Sequence, residues 1–135
     1  MPARSYGQYC PVAKTLELVG ERWTLLIVRE LLVEPKRFTD LHAALDGIPR
    51  NLLADRLRDL EAHGVVVKAE LPPPAARSVY DLTDAGRGLL PVIGALAQWG
   101  LANLPPPKPG EPVSPTLGRL AERYGLPIPT KEREA

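Results

Sequence analysis

The stretch RNLLADRLRDLEAHGVV, residues 50–66, decides the fold of this chain, because a helical pattern in it ends on a glycine and continues into a β-branched run. Leu53, Leu57 and Leu60 are spaced by four and three residues, which is the repeat of one helical face. At about 100° per residue, the opposite face holds polar or small side chains: Asn51, Asp55, Arg58 and Ala62. The sequence therefore predicts a short helix with one apolar face and one polar face.

Two amphipathic helices are predicted near the start of the chain. The first begins at Pro11, because a proline is tolerated in a first helical turn, and it ends at Gly20. The second follows from Trp23 and stops before Pro35. Both carry leucine, isoleucine and valine at helical spacing, so we expect them to supply much of the core.

A third short helix is predicted between these and residue 50. Thr39 is the predicted N-cap, with Asp40 beside the positive end of the helix. The preceding residues 36–38 are too few for more than an edge strand. A tight turn that contains Gly47 joins this helix to the next one at Pro49, which is the arrangement of a helix-turn-helix.

A β-hairpin is predicted after the helix-turn-helix. Residues 65–71 and 78–82 form its strands, and the proline-rich residues 72–77 form its turn. Thr83 caps a following helix, which Pro91 should kink or split. The predicted fold is α+β and mainly helical: a winged helix-turn-helix with a two-stranded wing and flanking helices.

The composition is that of a single domain with an appended tail. The chain has 135 residues, a formal net charge of +1, one cysteine and 16 prolines, many of them clustered at 72–74 and 105–112. No apolar run is long enough to span a bilayer and no secretory signal precedes the first helix, so we expect a cytoplasmic protein. The predicted organisation is an N-terminal arm (1–8), a DNA-binding domain (9–100), a proline-rich linker (101–113) and an amphipathic helix with a tail (114–135).

The sequence gives little support for an enzyme. It has no serine, histidine and aspartate order, no glycine-rich phosphate loop and no paired carboxylates with a plausible pocket. His42 and His63 are far apart on different predicted helices and lack a nearby cysteine pair, so no metal site is predicted. We expect no cofactor.

Several stretches together resemble the HxlR-type winged-helix transcriptional regulators, which are relatives of the MarR group. The resemblance covers about residues 9–100 and rests on these stretches: CPVAKTLELVGERWTLLIVRELL, RFTDLHAALDGIPRNLLADRLRDLEAHGVV, YDLTDAG and LLPVIGALAQWG. It implies a dimeric repressor or activator that binds double-stranded DNA and responds to a small molecule or a reactive electrophile. The recognition helix of that family often starts with serine or threonine, whereas this chain has Pro49 there.

The candidate DNA-binding residues fall into three groups. The predicted base contacts lie on the polar face of the recognition helix, since arginine suits guanine and asparagine suits adenine: Arg50, Asn51, Asp55 and Arg58. The predicted wing contacts to phosphate or the minor groove are Arg77 and Lys68. The predicted contacts where the third helix begins are Lys36, Arg37 and Thr39. A solvated helix face with internal ion pairs would show the same pattern.

Two further features concern regulation and assembly. Cys10 precedes the first helix, with Lys14 one turn on, so it is a candidate redox or electrophile sensor; the alternative is a small buried side chain. The last long helix has more apolar residues than a small core can cover. The candidate residues for a homodimer interface are Leu89, Val92, Ile93, Leu96 and Trp99.

The leading hypothesis from the sequence is a homodimeric regulator, with a repressor favoured, that binds a near-palindromic operator. Two recognition helices would then enter successive major grooves about 34–36 Å apart. Two alternatives remain open at this point. One is a winged helix used as a protein-interaction module, and the other is a small-molecule-binding protein without operator function.

Overall fold

The computed structural model describes residues 5–75 and 77–125 of the chain. The first half of the predicted N-terminal arm, residue 76 of the wing turn and residues 126–135 of the predicted tail lie outside this range. The elements follow in this order: α1 (Pro11–Val19), α2 (Thr24–Val33), α3 (Phe38–Ala44), α4 (Arg50–Ala62), β1 (Val66–Glu70), β2 (Ser78–Leu82), α5 (Asp84–Arg87), α6 (Leu90–Asn103) and α7 (Thr116–Tyr124). The predicted winged helix-turn-helix is confirmed.

The helix-turn-helix consists of α3 and α4, and its first helix begins earlier than predicted. Arg37 precedes the helix and Phe38 opens it, so Thr39 lies inside α3 and is not the N-cap. The reason is Asp40, whose Oδ2 accepts the backbone N–H of Arg37 at 3.2 Å. A carboxylate in the first turn thus satisfies a backbone donor at this helix start, and Thr39 is left exposed.

One apolar cluster holds the helices together. Leu53, Leu57 and Leu60 of α4 are buried in it, as the spacing of these leucines predicted. The other fully buried members come mainly from α2, α3 and the loop after α3: Ile27, Val28, Leu31, Leu32, Leu41, Leu45 and Ile48. The recognition helix therefore packs through its leucines on the two helices that precede it.

The wing is the predicted two-stranded antiparallel hairpin. β1 pairs with β2 in a register that places Val66 opposite Leu82 and Lys68 opposite Tyr80. Lys36, in the segment between α2 and α3, forms an isolated bridge with Tyr80, so the predicted edge strand is a single residue pair. The bridge connects the segment before the helix-turn-helix directly to the wing.

The chain breaks between α5 and α6, as the proline in this stretch predicted. Thr83 caps α5, where its Oγ1 accepts the backbone N–H of Gly86 at 3.1 Å. Pro91 lies in the first turn of α6, where its missing N–H leaves no intrahelical bond unmade. α6 continues to Asn103, so the helix includes the first residues of the predicted linker. Among the described residues, no helix is both long and apolar enough to cross a membrane.

α7 packs against α2 of the same chain, after a proline-rich connection. Leu120 of α7 is fully buried and belongs to the same cluster as the core of the domain. Gly125 ends the helix in the left-handed region, with a φ of 67°. α7 lies within the segment where the sequence predicted an amphipathic helix, and it is docked on α2.

Gly86 in α5 is closely surrounded, whereas Gly118 in α7 is not, so alanine substitution at these two glycines should have opposite effects on stability. A side chain at Gly86 would overlap the carbonyl oxygen of Val65 and lie 2.9 Å from Cδ2 of Leu82, so Gly86→Ala should lower the free energy of unfolding by about 1–3 kcal/mol. Gly118 in α7 has open space around it, so Gly118→Ala should raise that free energy by about 0.5–1 kcal/mol. Urea unfolding of both variants measures the two effects, and a neutral Gly86→Ala would contradict the close contact of α5 with Val65 and with Leu82 of β2.

Candidate nucleic-acid interface

The polar face of α4 lies in solvent because its leucine face is fully buried. Arg50 and Asn51 are exposed at the N-terminal end of the helix. The side chain of Arg58 is 69% exposed two turns further on. Three of the four predicted base-contacting side chains are therefore accessible on one helix, and they can approach a duplex without rearrangement of the core.

Asp55, the fourth predicted base-contacting residue, holds Arg58 in place. Its Oδ1 accepts a hydrogen bond from Nη2 of Arg58, and the two residues are one helical turn apart. An exposed pair of this kind is worth only about 0.3–0.5 kcal/mol, so it orders the guanidinium without fixing it. A nucleic acid that uses Arg58 has to compete with this carboxylate.

Arg56 is a charged residue of α4 whose position the helical pattern did not predict. Its side chain is only 14% exposed, and its guanidinium lies 3.3 Å from Asp59 and 3.7 Å from Glu21. Glu21 belongs to the turn between α1 and α2, so Arg56 connects the recognition helix to that turn. Its position on the flank of the helix, between the buried and the exposed faces, gave no signal for this role.

Arg37 and Asp40 form a two-point ion pair at the start of α3. Nε and Nη2 of Arg37 lie 3.1 Å and 3.0 Å from the two carboxylate oxygens of Asp40. This hydrogen bond is the main reason that the pKa of Asp40 is lowered and the pKa of Arg37 is raised. The charge of Arg77 makes a smaller contribution that also lowers the pKa of Asp40.

Lys36 is less accessible than Arg37, and both its side chain and its backbone have partners within the fold. Its Nζ lies 3.5 Å from Oε1 of Glu34, and its side chain is only 11% exposed. Its backbone N–H donates to the carbonyl of Tyr80 at 3.0 Å, and its carbonyl accepts from Tyr80 at 2.7 Å. Of the three residues predicted to contact phosphate at this helix start, Arg37 and Thr39 are the accessible ones.

The wing carries its two predicted cations on different parts of the hairpin. Lys68 is exposed in β1, with Nζ 5.8 Å from the centre of the Tyr80 ring. Arg77 is exposed directly before β2, and its carbonyl accepts the N–H of Leu71 at 2.9 Å. Cation–π contact with Tyr80 restricts Lys68, whereas Arg77 extends from the turn end of the hairpin.

Cys10 caps the start of α1, but the predicted cation beside it is directed elsewhere. The carbonyl of Cys10 accepts the N–H of Lys14 at 2.8 Å, and the thiol side chain is half-buried. Nζ of Lys14 lies 3.6 Å from Oε1 of Glu17. The i,i+3 ion pair on α1 therefore draws the ammonium of Lys14 toward Glu17, on the next turn of the helix.

The five residues predicted for the dimer interface divide into two sets. Ile93 is 6% exposed and Leu89 packs on the core of the same chain, so these two lie inward. Val92, Leu96 and Trp99 are exposed on α6, with 63% of Trp99 accessible. The sequence pattern missed further exposed apolar residues at the start of the chain and on α1, and these are Tyr6, Tyr9, Val12 and Leu16.

Comparison with known proteins matches the same part of the chain. The family model HxlR-like helix-turn-helix matches residues 18–108. The HTH-type transcriptional regulator YvaP of Bacillus subtilis is 36% identical over 94 residues, which cover 69% of this chain and 87% of YvaP. The HTH-type transcriptional regulator Mb3122 of Mycobacterium bovis is 46% identical over 102 residues, which cover 76% of this chain and 63% of Mb3122.

Solved structures show the same architecture. The reduced form of the transcriptional regulator YodB of Bacillus subtilis superposes with a TM-score of 0.64 at 30% identity, over 75% of this chain and all of YodB. A quinone-bound form of YodB superposes with a TM-score of 0.60. The fold and the exposed recognition helix define a winged-helix transcriptional regulator. The chain belongs to the HxlR-like helix-turn-helix family.

Proposed function

We propose that this regulator binds a specific, near-palindromic operator as a homodimer in the cytoplasm and acts as a repressor. The observation that carries the proposal is the geometry of α4, whose leucines are buried while Asn51 and Arg58 are exposed on the opposite face. A helix held in this way can enter a major groove, which is wide enough for one α-helix. The two copies of α4 in a dimer would occupy grooves about 34–36 Å apart.

Each group of exposed side chains has a separate part in this proposal. Arg50, Asn51 and Arg58 hydrogen-bond base edges, with Asp55 as an acceptor for cytosine N4 or as the group that orients Arg58. Arg37 and Thr39 meet the phosphate backbone at the start of α3. Arg77 and Lys68 meet it from the wing, and such contacts give affinity and register without sequence information.

The proposed signal acts at Cys10. Its place ahead of α1, together with the relative that has reduced and quinone-bound forms, supports a response to an oxidant or an electrophile. A bulky adduct or a cross-link there would press on α1, whose exposed apolar residues are candidates for the dimer surface. An operator requires a fixed spacing between recognition helices, so a small rotation of the two subunits would release DNA. A non-covalent small-molecule effector is the alternative signal.

The recognition surface predicts two different mutational signatures. Asn51→Ala and Arg58→Ala should each weaken operator binding by on the order of 1–3 kcal/mol and relax the preference at one base pair. Arg77→Ala should weaken all duplexes about equally and make the dependence on salt less steep. The operator is obtained by selecting genomic fragments on the purified protein, and the affinities are measured at two salt concentrations.

The affinities of these three variants, together with the choice of fragments by the wild-type protein, distinguish the proposed function from its alternatives. Wild-type binding by all three variants would contradict the assigned surface. A protein that selects no preferred fragment, but captures another protein with little dependence on salt, would indicate an interaction module instead.

The exposed apolar residues of α6 predict a dimer. Sedimentation of the wild-type protein at micromolar concentration should give twice the monomer mass. Leu96→Glu should shift it to the monomer, because an unpaired charge is costly to bury. Val67→Glu is the matched control, since Val67 is also an exposed apolar residue but lies in the wing. A wild-type monomer, or equal dissociation by both variants, would contradict the proposed interface.

If Cys10 is a sensor, electrophiles and oxidants should weaken operator binding, and replacement of its sulfur by oxygen in Cys10→Ser should abolish this response. A quinone-type electrophile should weaken operator binding by the wild-type protein through alkylation of the thiol. An oxidant should do the same by taking two electrons from the Cys10 thiol and a second thiol, from the other subunit of the dimer or from a small thiol, which then form a disulfide, and dithiothreitol should reduce that disulfide and reverse the effect. Cys10→Ser should bind the operator normally and respond to neither reagent. Equal responses of the two proteins in gel-shift titrations would refute a sensing role for Cys10.

A further inference from the structure

α7 supplies hydrogen bonds to the C-terminal end of α2. The hydroxyl of Tyr124 donates to the carbonyl of Leu32 at 2.7 Å, and Nη1 of Arg123 donates to the carbonyl of Val33. These carbonyls belong to the last turn of α2, where no backbone N–H of the same helix is available to them. The positive charge of Arg123 also lies at the negative end of the α2 dipole.

An apolar contact anchors the same helix. Leu120 is fully buried in the core cluster, and Thr116 is buried at the start of α7. The proline-rich connection of residues 104–115 links α7 to α6, the helix that carries the exposed apolar residues. α7 and its connection therefore join the end of the proposed dimer helix to α2.

The segment that follows α2 links the wing to the helix-turn-helix. Directly after α2, Lys36 forms two backbone hydrogen bonds with Tyr80 of the wing. Arg37 follows as the residue that precedes α3. A displacement of the last turn of α2 would consequently move the wing relative to α3 and α4.

We propose that α7 is a clamp that holds the end of α2 and, through the bridge between Lys36 and Tyr80, keeps the wing and the recognition helix in their DNA-binding arrangement. Arg123 and Tyr124 are its positioning residues. α7 begins at Thr116, beyond the part of the chain that the family model matches, so the clamp is an addition to the shared fold. Its effect on DNA binding rests on the proposed function.

The experiment compares the full-length protein with variants that keep Leu120 in place. Arg123→Gln combined with Tyr124→Phe removes the hydroxyl donor and replaces the guanidinium by a shorter, uncharged side chain that ends short of the Val33 carbonyl, while the aromatic ring is retained. Arg123→Lys combined with wild-type Tyr124 keeps a charged donor and should rescue. Arg119→Gln is the matched control, because it removes the same charge from an exposed position of α7.

Two measurements are made on each protein. Amide hydrogen exchange at Lys36 and Tyr80 reports the opening of the bridge, and titrations report affinity for the selected operator and for an unselected duplex. In the double variant the two amides should exchange roughly tenfold faster, and operator binding should be roughly five- to thirtyfold weaker, as expected for two lost hydrogen bonds. Binding of the unselected duplex should match that of Arg119→Gln.

The two measurements separate the clamp from the proposed function. Wild-type exchange in the double variant, or faster exchange with unchanged operator binding, would overturn the clamp. Loss of affinity in Arg119→Gln to the same extent would also overturn it, because a general charge effect would then explain the result. A wild-type protein without a preferred duplex would overturn the proposed function, while the exchange rates would still decide whether α7 holds the bridge.

Discussion

The burial of the leucine face of α4 is the constraint on which the rest of the structure depends. Leu53, Leu57 and Leu60 are almost fully buried, and each such side chain contributes about 1.5–3 kcal/mol. The exposed ion pair between Asp55 and Arg58 contributes only about 0.3–0.5 kcal/mol. The apolar face therefore sets the rotation of the helix about its own axis, and the polar face is directed to solvent as a consequence. The residues of the polar face can therefore be substituted without loss of the packing that orients the helix.

Carboxylates limit the positive charge of the candidate interface. Asp40 holds Arg37 and Asp55 holds Arg58, and the whole chain has a formal net charge of only +1. In the proposed complex each guanidinium would exchange its carboxylate for a phosphate or a base, so a duplex that offers poor hydrogen-bonding partners would gain little. Such internal competition disfavours non-specific binding more than it disfavours binding to a well-matched site.

The periodic features of the fold could be predicted from the sequence, whereas features set by single side-chain contacts could not. Repeats of apolar residues, with glycine and proline at the ends, gave the helix-turn-helix, the wing and the break at Pro91. The start of α3 was misplaced because Asp40, and not Thr39, satisfies the first backbone donor. Arg56 was missed, and Ile93 was assigned to the dimer interface although it is buried in the core, because a helical repeat gives a face of the helix but not the neighbour on which that face packs.

α2 connects the parts of the molecule that the proposed mechanism has to couple. It contacts α3 of the helix-turn-helix, β2 of the wing, α6 with its exposed apolar residues, and α7. Its buried residues are mostly apolar, with Thr24 and Glu30 as the polar exceptions. Close packing of this buried side favours movement of α2 as a rigid body over its deformation. In the proposed dimer, a change at the subunit interface would therefore reach the recognition helix by a small shift of α2, without a chain of separate side-chain rearrangements. The hydrogen bonds from Arg123 and Tyr124 act on the end of α2 nearest the DNA-binding elements, which is where a given rotation of the helix displaces α3 and the wing most directly.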